Sequence, residues 1–87
     1  MLTYEDCLGL CELTPEEIRA IAEHEHIPEV IAMELGNYLC ETTGGQKRIR
    51  RIILEDIEAA RGRHDEERVR QLHEVLGHFL ALHKDAA

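Results

Sequence analysis

The chain has 87 residues, 44% hydrophobic but only 3% aromatic, and a formal net charge of −8. That length makes one domain at the small end of what folds alone, with an aliphatic core, since Tyr4, Tyr38 and Phe79 are the only aromatic residues. The carboxylate excess opposes general affinity for nucleic acid or anionic membranes, no run approaches the roughly 20 apolar residues that span a bilayer, and Met1-Leu2-Thr3-Tyr4-Glu5-Asp6 lacks the pattern of a signal peptide.

Strand alternation is absent, and Gly and Pro fall where helices would begin or end, so the expected fold is all-α. Thr3 and Asp6 cap a short predicted helix over about 4–12, whose inner face carries Tyr4, Cys7, Leu8 and Cys11. Cys7 and Cys11 lie one helical turn apart, a poor disulfide geometry. With Cys40 the number of cysteines is odd, so reduced thiols and a cytoplasmic setting are expected. Cys-x-x-x-Cys also falls short of the paired Cys-x-x-Cys spacing of structural zinc sites.

Thr14-Pro15-Glu16-Glu17 combines a capping box with proline at the first helical position and opens a second helix running to about His26. Its apolar stripe is Ile18, Ile21 and Ala22, continued by Glu25. Ile27-Pro28 then restarts the chain, because a residue before proline is pushed out of helical geometry. The third predicted helix covers about Pro28 to Thr42 and has two apolar faces. Ile31, Leu35, Tyr38 and Leu39 make one; Val30, Met33 and Cys40, with Asn37 among them, make the other. Two apolar faces need two partners, so this helix is either central in the fold or turns its second face to another chain.

Gly44-Gly45 is read as the stop of that helix, releasing a fourth from Gln46 to about Arg61 with Gly62 as a left-handed cap. Ile49, Ile52, Ile53, Ile57 and Ala60 share its inner face, interrupted by Asp56. A fifth helix, from His64 or Asp65 to about Lys84, presents Val69, Leu72, Leu76, Phe79 and Leu80. The short connections predict a compact bundle of about five helices, the first short and the three or four longer ones antiparallel.

Charge divides the chain sharply. Residues 1–46 carry ten carboxylates against Arg19 alone, while residues 47–87 carry nine Lys and Arg against eight Asp and Glu. Lys47, Arg48, Arg50 and Arg51 crowd the start of the fourth helix, where they oppose its dipole, so something negative is expected to offset them. The protein's own acidic half, a second subunit or an external anion would serve. Arg50, nearest the apolar edge, is expected to meet a carboxylate within the fold.

Chemistry-bearing candidates are few. There is no serine and no Gly-x-Ser-x-Gly elbow, so no catalytic residue and no cofactor are assigned. Glu25 and Asp56 interrupt apolar stripes, and buried carboxylates are costly unless paired. His83 lies within the stripe of the fifth helix and His73 at its edge. Glu25, Asp56, His73 and His83 are therefore the candidate ligands of a metal-binding alternative, although the Glu-x-x-His pairs of di-metal bundles are met only by Glu23 and His26. A helix-turn-helix reading of the second and third helices fails on charge, since the third carries Glu29, Glu34 and Glu41 and no cation.

The runs Glu23-His24-Glu25-His26-Ile27-Pro28-Glu29, Gly36-Asn37-Tyr38-Leu39 and Arg48 through Ala60 resemble small all-helical bacterial proteins of uncharacterised function. The resemblance implies a compact helical protein and no activity. The expectation from the residues themselves is a small interaction or regulatory module that takes a protein partner or a second copy. Its candidate contact residues are Lys47, Arg48, Arg51, Val30, Met33 and Asn37. Nucleic-acid binding through the basic start of the fourth helix ranks behind the metal-binding alternative.

Overall fold

The computed structural model describes residues 13–87. Among them the fold is all-α: α1 (Pro15–Glu25), α2 (Glu29–Cys40), α3 (Thr43–Gly62), α4 (Glu66–Leu82) and a closing 3-10 turn (Lys84–Ala86). The predicted helix over 4–12, with Cys7 and Cys11, lies outside the described residues. The radius of gyration, 12.5 Å, is close to the roughly 12 Å of a globule of this length.

Capping chemistry fixes the start of α1. Thr14 Oγ1 accepts from the Glu17 backbone N–H at 3.2 Å, and Glu17 Oε1 accepts from the Thr14 N–H at 2.8 Å, with Pro15 at the first helical position. The expected capping box is thus in place. The helix ends on His26, which is left-handed (φ 56°), while the Ile27 N–H reaches back to the Ala22 carbonyl at 3.1 Å. Pro28 then caps α2 without a side-chain hydrogen bond.

The Gly44-Gly45 pair does not end the preceding helix, as its sequence suggests; it forms the first turn of α3. Thr42 is the cap, its Oγ1 accepting from the Gly45 N–H at 2.9 Å, and Gln46 Nε2 donates to the Cys40 carbonyl at 3.0 Å. A Cβ on Gly45 would collide with the backbone of Leu39, so the glycine is there for close approach, not for chain reversal. Gly62 is likewise not the left-handed residue. It stays helical, and His64 (φ 59°) takes that conformation, closing a Schellman motif in which Asp65 N–H bonds the Ala60 carbonyl and His64 N–H the Arg61 carbonyl. Asp65 then caps α4 through the Arg68 N–H at 3.1 Å.

α3 is the hub: it packs on α1, α2, α4 and the 3-10 turn. Ile49, Ile52, Ile53, Ile57 and Ala60 are buried on its inner face as their spacing predicts, each isoleucine contributing roughly 2–3 kcal/mol of burial free energy. α4 opposes them with Leu72, Val75 and Phe79, while Val69, Leu76 and Leu80 cover the edge. Ile18, Ala20, Ile21 and Ala22 of α1 complete the core.

The inner face of α2 is Ala32, Met33, Gly36, Leu39 and Cys40. Two small residues set it: a Cβ on Gly36 would run into the Leu13 side chain and come within 3.2 Å of Ile21 Cδ1. Met33 is 3% exposed, so it is a core residue and not the contact residue its spacing suggested. Outward go Val30, Ile31 and Tyr38, 42%, 46% and 70% exposed, with Asn37 exposed beside them. The helix does have a leftover apolar face, but it is formed by Val30, Ile31 and Tyr38, while Met33 and Cys40 are buried and Leu35 packs against the core. Cys40 is buried.

Candidate interaction and proton-linked site

Two features stand apart from the core: the outer stripe of α2, and a polar cluster where the end of α1 crosses α3. At the crossing, His24 Nδ1 lies 2.9 Å from Glu25 Oε2 and His24 Nε2 lies 2.8 Å from Glu55 Oε1. Arg48 Nη2 approaches Glu25 Oε1 at 3.9 Å, and Arg68 of α4 donates to Glu23 Oε2 at 2.8 Å. The acidic half and the cations of the second half therefore meet inside one fold, through Arg48 and Arg68. Arg50 does not share in this: it is half-buried with its Nε unpartnered. Arg19 approaches Glu29 at 3.9 Å instead.

Asp56 lies beside this cluster, 9% exposed, with Oδ2 lacking a hydrogen-bond partner. Burial raises its carboxyl from 3.8 to about 6; His24 and Arg68 pull it down, while Glu23 and Glu55 push it up. For His24, burial works to lower the pKa, but the hydrogen bonds to Glu25 and Glu55 and the charges of Asp56 and Glu25 outweigh it and hold the ring above 6.5.

The metal candidates do not converge. Asp56 lies near Arg68 at one end of the α3–α4 pair, and His83 lines a cleft with Gln46 at the other. Ten residues of α3 separate those places, about 15 Å of helix. His83 is also engaged, stacked on Phe79 with ring centroids 4.3 Å apart and its Nδ1 3.0 Å from the Phe79 carbonyl oxygen. His73 is exposed on α4, and Glu25 is held by His24. Among the described residues no three His, Cys, Asp or Glu side chains are placed to hold a metal ion.

Lys47, Arg48 and Arg51 do come together, lining one cleft with Gly44, His24 and Glu55. Sequence reasoning missed His24, which periodicity places away from the stripe; Glu17 it read as part of the capping box, without its full burial or the unpartnered Oε2. For His24 only the crossing of α1 over α3 shows its role.

Among the described residues no helix is long and apolar enough to cross a membrane. Comparison with protein-family models, curated proteins and solved structures returned no match.

Proposed function

We propose that the chain is a small helical interaction module that pairs with a second copy of itself through the outer face of α2, in a cytoplasmic setting. The observation that carries this reading is the stripe of Val30, Ile31 and Tyr38, large apolar side chains left in solvent on one helix of a protein short of core-forming aromatics. Charge supports a second copy as the occupant. α2 carries Glu29 and Glu34, with Glu41 at its end, and no Lys or Arg, while Lys47, Arg48 and Arg51 stand at the start of the next helix. A two-fold pair offers each acidic flank a basic surface of the same molecule. Nucleic acid fits this surface less well, because Glu55 shares the basic cleft and the net charge is −8.

Sedimentation of the wild type against Ile31→Glu and Tyr38→Glu tests the reading. A concentration-dependent dimer that both substitutions dissociate, with helical content unchanged, supports it; a wild-type protein monomeric at the highest soluble concentration overturns it.

A further inference from the structure

The placement of His24 sets up a conflict that only a proton resolves. Its two ring nitrogens face two carboxylates, Glu25 in the last turn of α1 and Glu55 in the middle of α3, both within hydrogen-bond distance. A neutral imidazole has one N–H and one lone pair, so it can donate to one carboxylate while its lone pair faces the other. The imidazolium donates to both.

The surroundings favour the charged ring. From α1 come Glu23 and Glu25, from α3 Glu55 and Asp56, and from α4 Arg68, which is committed to Glu23. Lys47, Arg48 and Arg51 line the cleft on one side of the ring, and His26 and Arg63 line the cleft on the other. His24 and Glu55 line both clefts, so their contact is the partition between a basic hollow at the start of α3 and an acidic one that holds Glu23 and Asp56.

We infer that His24 is a proton-operated latch between α1 and α3, closed when the ring is protonated and released when it is neutral. Losing the proton leaves Glu25, Glu55 and Asp56 grouped around an uncharged ring. One N–H is then left for two carboxylates, so Glu25, the neighbour of His24 on α1, competes with Glu55 for it and the ring's charge no longer draws Glu55 in; the end of α1 separates from α3, and the two clefts join into one groove. The same movement reaches the His26-Ile27-Pro28 turn, which sets the direction of α2. The raised pKa of the ring agrees with this geometry.

The test is an NMR titration of the full chain from pH 5 to 9, following the His24 ring and the backbone amides of residues 22–28, in wild type, Glu55→Gln and His24→Gln. The expected result is that His24 titrates above 6.5, that the amides follow the same curve, and that Glu55→Gln, which leaves the ring in place, moves both curves downward together. His24→Gln should abolish the amide transition. A His24 ring that titrates at or below that value, or amides that stay still while it titrates, overturns the latch, and the Glu55→Gln comparison decides it even if His24→Gln fails to fold.

Discussion

The Leu39 carbonyl oxygen stands where a Cβ on Gly45 would have to be. The two-residue turn between α2 and α3 brings these backbones together, and the obstacle is main chain, which cannot rotate away. Gly45→Ala is therefore expected to cost on the order of 2 kcal/mol or more, as overpacking against fixed atoms does. Gly77, in the exposed middle of α4, has nothing within 4 Å of its Cβ position, so Gly77→Ala should gain about 0.5–1 kcal/mol from helix propensity. Urea midpoints of the two variants should move in opposite directions; a shared sign would mean that the α2–α3 turn is not this close.

Asp56 gives a pH-dependent prediction whose sign follows from its raised pKa. The folded protein holds the Asp56 proton up to about pH 6 while the unfolded chain releases it near 3.8, so the protonated form contributes stability at low pH that is lost as pH rises through 6. A gap of about two units corresponds to roughly 3 kcal/mol. Asp56→Asn should match wild type at pH 4 and exceed it by about 1–3 kcal/mol at pH 7.5. An equal effect at both values would point to packing rather than ionisation.

His24 acts in the same sense. Its raised pKa stabilises the fold fully below 6.5, and this is lost as pH rises through the folded value. Wild-type stability should therefore decline as pH rises above 6.5, and His24→Gln should flatten that decline. Parallel slopes for the two proteins in denaturant titrations would count against the assignment.

The left-handed His64 closes α3 where glycine is the usual choice. A non-glycine residue there costs about 1 kcal/mol, so His64→Gly should raise the melting temperature by a few degrees, by the usual conversion for a small domain. His64 is exposed, so little packing is lost. A lower melting temperature would show that the ring makes a contact worth more than the strain.

The faces of α1, α3 and α4 were legible because large aliphatic residues mark them: Ile18 with Ile21, the four isoleucines of α3, and Leu72 with Phe79. The face of α2 was misread for the opposite reason. Its packing face includes Ala32 and Gly36, which a search for bulky side chains passes over. Large residues such as Ile31 and Tyr38 were then credited to the interior although they face solvent. Asp56 was visible as a carboxylate in an apolar stripe, but its neighbour His24 was not, since their proximity depends on how α1 crosses α3. Gly44-Gly45 reads as a stop because glycine pairs usually are; the Thr42 cap three residues before Gly45 carries the better signal.

Because α3 touches every other described element, it cannot come loose while the rest stays folded. Its central amides, from Ile49 to Ile57, should open to solvent only when the whole molecule does. In deuterium exchange they should be the last to label, at one common rate set by global unfolding, while those at the end of α1 exchange earlier by local opening.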